Sequence, residues 1–317
     1  MKTGSAARQI WIDGVLVPWR DATVHVLSHS HQRGSLVFDF LSVYRTPEGD
    51  AVFRLADHVD RFLTSCQLVG LPLGQDAAAV ATAVLAAVRA NPGATVAKVC
   101  AYLPSVEIDV VPLDEHVALA VAAFDPVTDV VEPKGLPSAF RPQVRLFVEK
   151  QSRNRRADII SPHAKVAANY VSPMVAKWKA RKAGYDEIVL LDEDDGLAEG
   201  PTTNLFLVDP EGRLCTPPQD RVLLGVTRRS ILELAKDEGI LVRENPLQLD
   251  DLDRAAEVFL TGTSAGIWPV ESVDGKRVGD GVPGPVTRAL SDRFRRITRG
   301  EDSAFAHWLT PVGAGEA

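Results

Sequence analysis

The residue around which chemistry can be built is Lys165, in Ser161-Pro162-His163-Ala164-Lys165-Val166-Ala167-Ala168-Asn169-Tyr170, where its nearest neighbours are small or apolar. Such flanks suit a lysine entering a pocket, since burial disfavours the charged form and leaves some neutral amine able to attack a carbonyl. The alternative is a lysine on a solvated helix face. A second candidate is Glu199, which an acidic turn delivers between a strand over 188–192 and the run Asn204-Leu205-Phe206. Ser264 lies in Gly262-Thr263-Ser264-Ala265-Gly266, the spacing of a serine-hydrolase nucleophile elbow. That pattern needs a helix directly after the serine, and Ile267-Trp268-Pro269-Val270 continues as extended chain. A tight turn offering backbone N–H groups is the nearer reading. Gly279 to Gly284 fits Gly-x-Gly-x-x-Gly but sits in no βαβ unit, so it does not mark a dinucleotide site. His25, His29 and His31 lack a cysteine or carboxylate to complete a ligand set, and no metal is expected.

Several elements must position these groups. Val171, Met174, Val175 and Trp178 recur at three- and four-residue intervals, which predicts a helix over 166–182 ending at Gly184, with Lys165 at its mouth. Leu223-Leu224-Gly225-Val226-Thr227 leads into a helix over 228–237, whose N-terminus is an anion seat with Thr227 as its N-cap. In the first half, Asp13-Gly14 marks a hairpin, residues 36–44, 96–102 and 117–124 read as strands, and Asp57 to Phe62 opens an N-capped helix. An alanine-rich helix over 76–90 stops at Asn91-Pro92-Gly93. Met1 to Arg8 reads as a loose tail. A proline-bearing stretch separates the halves, giving an expected small N-terminal domain 1–124, a linker 125–137 and a larger domain 138–317. The second half continues with a strand over 144–148, a hairpin over 209–212 and a strand over 257–260.

With 317 residues, 45% hydrophobic and 24% charged, the chain is long enough for two lobes, each with its own core. A formal charge of −7 argues against a nucleic-acid surface, and Arg153-Asn154-Arg155-Arg156 reads as a solvated loop. Cys66, Cys100 and Cys215 have neither metal nor disulfide spacing. No apolar run approaches a membrane span, and no basic-then-apolar leader opens the chain, so a cytoplasmic protein is expected.

Four motifs occur in order: Lys165 with Asn169-Tyr170, Glu199-Gly200 with Asn204-Leu205-Phe206, Leu224-Gly225-Val226-Thr227-Arg228, and Gly262-Thr263-Ser264-Ala265. The series resembles the class IV, pyridoxal-phosphate-dependent aminotransferases, and most the branched-chain amino-acid branch. The resemblance implies an α/β (α+β mixed) fold of type IV, with a small N-terminal α/β domain and a larger domain built on a pseudo-barrel of mixed strands. It implies pyridoxal 5'-phosphate on Lys165 as a Schiff base, with the same lysine carrying protons. Glu199 would keep the ring nitrogen protonated, and Tyr170 would hydrogen-bond the ring's phenolic oxygen. Arg61, from a segment of the form Leu-x-x-His-x-x-Arg, would clamp the phosphate together with Val226, Thr227 and Thr263. Asn204 belongs to the same cofactor set, and the turn Thr263-Ser264-Ala265 would meet the substrate carboxylate. The first half departs from the pattern. Val96-Ala97-Lys98 stands where the branched-chain enzymes have Tyr-x-Arg, Arg33-Gly34 replaces a Tyr-Gly pair, and Phe38-Asp39-Phe40 replaces Phe-Glu-Gly. Phe38, Phe40 and Lys98 thus become the expected side-chain pocket. The implied activity moves an amino group from a hydrophobic, branched-chain-like amino acid to a 2-oxo acid, in a homodimer. The segment from Phe38 to Val43 is also similar to (R)-amine transaminases. That leaves an (R)-amine or D-amino-acid transaminase, or an aminodeoxychorismate-lyase-like enzyme, as alternatives, with a serine hydrolase using Ser264 as the remote one.

Overall fold

A computed structural model describes residues 7–135 and 141–313. They form two units: residues 7–135, 164–168 and 297–313 make the first, and residues 141–163 and 169–296 the second. The units are interleaved, which differs from the consecutive domains expected. The first unit draws in two later segments through backbone pairing. Val166 bridges to Val37, and β15 (Leu309–Pro311) pairs with β4 (Gly49–Phe53).

In the first unit a seven-stranded sheet runs β15-β4-β3-β5-β6-β1-β2, with β1 (Gln9–Ile12), β2 (Val15–Pro18), β3 (Val37–Thr46), β5 (Val96–Tyr102) and β6 (Ala118–Phe124). Every pairing in it is antiparallel. The short helix α1 (His29–Arg33) precedes β3. One face of the sheet is covered by α2 (Leu55–Leu68) and α3 (Ala77–Ala90). Val80, Ala83, Val84, Ala87 and Val88 give α3 its buried stripe, and the Asp76 carboxylate caps it by accepting from the Ala79 amide at 2.8 Å. The second helix begins earlier than expected and without a side-chain cap. Its N-cap is Arg54, in the left-handed region at φ 46, whose guanidinium pairs with Asp57 and lies 4.6 Å from the centre of the Trp308 ring. Arg8 is not in a loose tail: it is buried, with Nε 2.8 Å from Asp129 Oδ2 and Nη1 donating to the carbonyls of Asn91 and Pro92. Its partner Asp129 belongs to helical turns over Pro126–Val131 and Glu132–Lys134, so most of the expected linker is ordered packing. Residues 136 and 137 of that linker, and residues 1–6, lie outside the described residues.

In the second unit the sheet runs β11-β10-β9-β12-β13-β7-β8, with β14 (Lys276–Arg277) paired to β13. Its strands are β7 (Val144–Arg153), β8 (Glu187–Leu191), β9 (Asn204–Val208), β10 (Leu214–Thr216), β11 (Val242–Glu244), β12 (Glu257–Gly262) and β13 (Gly266–Val273). Parallel pairs, β7 with β8 and with β13, and β10 with β11, mix with antiparallel ones, as expected of a mixed α/β class. Leu146, Val148, Val189, Leu205, Leu207, Val258 and Leu260 fill the core on one face. On the other, Ile188 and Leu190 meet α4 (Val171–Lys182).

The helix α4 corrects the sequence reading twice. It starts at Val171, after a 3-10 turn over Ala167–Tyr170, so Lys165 lies ahead of any helix. The stripe that predicted it faces solvent, with Val171 59% and Trp178 62% exposed, while the small residues Ala176 and Ala180 are buried. Small residues allow a close approach to the sheet that Trp178 would block.

The helices α5 (Val226–Asp237), α6 (Leu249–Arg254) and α7 (Pro285–Thr298) complete the element order. The glycines at 279, 281 and 284 have a steric explanation. At Gly284 an added Cβ would meet the Glu257 side chain at 2.2 Å, because that buried carboxylate accepts from the Val286 and Thr287 amides at 3.0 and 2.7 Å and so caps α7 from the strand beside it. Glu257→Ala leaves those amides unpaired and the helix end without its anion. It is expected to lower unfolding stability by about 1–2 kcal/mol, read from the urea midpoint.

Candidate active site

In the second unit, Glu199 follows a turn and is 2% exposed. The backbone sets it in place: the Leu190 amide donates to the Glu199 carbonyl at 2.9 Å, and the residue bridges to Asn204. Its carboxylate receives Arg155 Nη1 at 2.7 Å, Asn204 Nδ2 at 3.0 Å, Asn154 Nδ2 at 3.5 Å and the Leu223 amide at 3.2 Å. The Arg153-to-Arg156 run is therefore only half a solvated loop. Arg153 pairs with Asp195 and Arg156 with Asp158 at the surface, while Asn154 and Arg155 turn inward. Arg155 was missed because nothing in a run of arginines tells which one is buried. Its Cζ also lies 5.1 Å from the ring centre of Tyr170, so one guanidinium brings Tyr170 and Glu199 together.

Asn204 supports more than the carboxylate. Its Nδ2 also donates to the Leu223 carbonyl at 2.9 Å, and its Oδ1 occupies the place a Cβ on residue 225 would take, so a larger residue there would have to displace Asn204. Gly225 is consequently the N-cap of α5, with no side-chain cap bond, and Thr227 sits inside the first turn rather than at the cap. Helix starts lacking a side-chain cap keep N–H groups for an anion, and Val226 and Thr227 are both buried there. A phosphate group fits this donor set. Thr263, Ser264 and Ala265 form the tip of the β12–β13 hairpin, closed by the Ala265 amide on the Gly262 carbonyl at 3.2 Å. Ser264 is exposed and a strand follows it, so the elbow geometry of a serine hydrolase is absent.

In the first unit, Lys165 is extended chain rather than helix. The Phe38 amide donates to the Lys165 carbonyl at 3.0 Å, the Ala167 amide to the Leu36 carbonyl at 2.8 Å, and the Lys165 amide to the Ser65 hydroxyl at 3.0 Å. Extended chain alternates, so Ala164 and Val166 are buried and Lys165 between them is half-buried. Its Nζ lies 5.1 Å from the centre of the Phe38 ring, and Lys98 Nζ lies 4.8 Å from the same centre. Phe40 pairs directly with Lys98 across β3 and β5, which places Phe38, Phe40 and Lys98 on one sheet face. Arg33 donates Nη2 to the Ile108 carbonyl at 2.7 Å, and His29 Nε2 donates to the Val110 carbonyl at 2.8 Å. These side chains hold a loop.

Asp39, between the two phenylalanines, points the opposite way onto α2. Arg61 grips it with Nε and Nη2 at 2.8 and 2.7 Å, and His58 Nδ1 donates to it at 2.8 Å. The two parallel hydrogen bonds expected of Arg61 are thus made to a carboxylate of this chain. Complete burial works to raise the Asp39 pKa, but Arg61 and His58 outweigh it and hold the carboxyl far below its ordinary range. Burial pushes the His58 imidazole below its ordinary value despite Asp39, and the charges of Arg61 and Lys165 add to that. Because the folded-state value of Asp39 is depressed, its contribution to stability is complete above its ordinary value of 3.8 and is lost as the pH falls below that. Asp39→Asn is expected to cost about 3–5 kcal/mol at neutral pH, since two buried partners lose their anion. Denaturation of the variant at several pH values should also show a shallower loss on the acid side.

The class IV amino-transferase family matches residues 36–273. A branched-chain-amino-acid aminotransferase of Salmonella typhimurium is 35% identical over 316 residues, covering 98% of this chain and 100% of that protein. Among solved structures, the Escherichia coli branched-chain amino acid aminotransferase superposes with a TM-score of 0.88 at 34% identity, covering 97% of this chain and 99% of that one. The branched-chain amino acid aminotransferase from Thermobaculum terrenum, in its PLP form, gives 0.87 at 28% identity, with 98% and 99% covered. The order of lysine, carboxylate, helix start and hairpin tip along the chain, and the likeness along nearly its whole length, agree: this chain belongs to the class IV aminotransferases.

Proposed function

We propose that this chain is a pyridoxal-5'-phosphate-dependent aminotransferase that moves the amino group of a hydrophobic, branched-chain-like amino acid to a 2-oxo acid. The observation that carries the reading is Lys165, a single amine set out from an extended segment whose flanking side chains are buried. When bound, pyridoxal phosphate supplies an aldehyde and an electron-accepting ring. Lys165 would hold that group through Nζ and carry a proton. Glu199 would keep the ring nitrogen protonated. Tyr170 would donate its hydroxyl to the ring's phenolic oxygen. The Val226 and Thr227 end of α5 and Thr263 bind the phosphate, and Arg61, fixed by Asp39, adds positive charge. Asn204 acts on the ring through Glu199.

The turn Thr263-Ser264-Ala265 receives the substrate carboxylate, and Phe38 and Phe40 receive its side chain. Lys98 presents an ammonium where an arginine fork would hold a second carboxylate, and the two are not equivalent. A second copy of the chain covers the loop where Ile108, Val110, Val111 and Leu113 are between 71% and 94% exposed. The three cysteines are free thiols and no described helix is long and apolar enough to cross a membrane, which fits the cytoplasm.

Two experiments test this. Borohydride reduction and peptide mapping should tag Lys165, and Lys165→Ala should retain almost no turnover. Glu199→Gln should still take up cofactor but convert an amino donor at least about a hundredfold more slowly. A tag only on Lys150 or Lys177, or a parental rate in the glutamine variant, would remove these assignments. The second experiment follows loss of the visible cofactor band with L-leucine, L-glutamate, D-alanine and (R)-1-phenylethylamine. Leucine should react fastest and 2-oxoglutarate should show a poor KM, because each methylene buried against Phe38 and Phe40 is worth about 0.8 kcal/mol whereas Lys98 makes no fork. Faster conversion of either of the last two donors would instead favour the (R)-amine or D-amino-acid reading that the segment from Phe38 to Val43 leaves open.

A further inference from the structure

Arg155 is buried and charged, and none of the roles above uses it. Its side chain is 4% exposed and that of its partner Glu199 3%, with Nη1 to Oε1 at 2.7 Å. Its Cζ is 5.1 Å from the Tyr170 ring centre. Its Nε is buried with no hydrogen-bond partner among the described residues. Burying a guanidinium in this way is costly, and apolar packing commonly holds a fold together as well as a buried ion pair does. Such a residue is better explained by what it does to its neighbours. Both of those neighbours are residues to which the aminotransferase reading gives a task on the cofactor ring.

We propose that Arg155 is a positioning residue that fixes Glu199 and Tyr170 with a single guanidinium and so sets how both act on the bound cofactor. The inference rests on the aminotransferase reading. Asn154, Asn204 and the Leu223 amide give Glu199 neutral hydrogen bonds, whereas Arg155 brings a full positive charge. A carboxylate paired with a guanidinium is a weaker base than one held by neutral donors, so a proton shared with the ring nitrogen stays on the nitrogen. The flat guanidinium also lies against the Tyr170 ring, a contact to which an ammonium is less suited. A lysine at 155 would keep the charge and lose the planar fork, which separates the two contributions.

The test uses the full-length chain loaded with pyridoxal phosphate, as parent, Arg155→Gln and Arg155→Lys. The pH titration of the visible band is read beside kcat and KM for L-leucine. In Arg155→Gln the midpoint of the band should rise by about one unit, because a nearby positive charge has been removed. Its kcat should fall about a hundredfold while KM stays within about threefold. Arg155→Lys should bring the midpoint back to within about half a unit of the parent yet leave kcat at least about fivefold low. A lysine variant with the parent's rate would overturn the inference. So would a glutamine variant whose midpoint is unmoved and whose lost rate is accounted for by incomplete loading. If the glutamine variant does not fold, the lysine variant decides alone. A parent chain that shows no visible band on loading would overturn the aminotransferase reading and this inference with it, whereas a normal parent band with unmoved variants overturns only the inference.

Discussion

Lys165 is held by its backbone, and much else follows from that. Residues 164–168 anneal beside the start of β3, with the amides of Phe38, Ala167 and Ala168 and the hydroxyl of Ser65 all engaged. A segment tied down in this way has only one freedom left to its side chains, the alternation of faces. Ala164 and Val166 must then be small or apolar because they point into the first unit's core, and the lysine between them must point away from it. On the neighbouring strand the same alternation separates Phe38 and Phe40 from Asp39 and Leu41.

Both units bury carboxylates against guanidiniums, Asp39 with Arg61 and Asp129 with Arg8 in the first, Glu199 with Arg155 in the second. The likeness is chemical, and the surroundings differ. Asp39 lies between a strand and α2, with His58 as its second side-chain partner, and its charge holds Arg61 in place. Glu199 is hydrogen-bonded on both oxygens, by two asparagines and an amide as well as the arginine. A buried ion pair is weak evidence for stability and better evidence for a fixed geometry.

Strands were legible from the sequence wherever alternation or a turn pair was present, as in the β1–β2 hairpin at Asp13-Gly14 and in β5, β6, β9 and β12. The helices α3 and α5 were legible for the same kind of reason, each having an apolar stripe that is in fact buried. Periodicity misled at α4, because it reports that one face is apolar without saying which face packs. It also started the helix at Val166, five residues early, since a run of small residues fits either period. The helix α7 went unread, because its start depends on Glu257, a residue of a much earlier strand. The motif residues Lys165, Tyr170, Glu199 and Asn204 were singled out by their order along the chain, which is what carried the family resemblance. Their supports, Ser65, Arg155 and Asp39, come from distant segments and carry no local signature.

The contact between Asn204 and Gly225 ties two positions together that lie in different elements. The amide oxygen of Asn204 fills the space where any other residue at 225 would place its Cβ, and the same side chain steadies Glu199. A mutation at 225 is therefore never a local event at the start of a helix. To be accommodated it must displace Asn204, and the carboxylate loses a donor as a result. A change at either position is therefore felt at the other, so the start of α5 and the carboxylate of Glu199 are coupled through one side chain that belongs to neither.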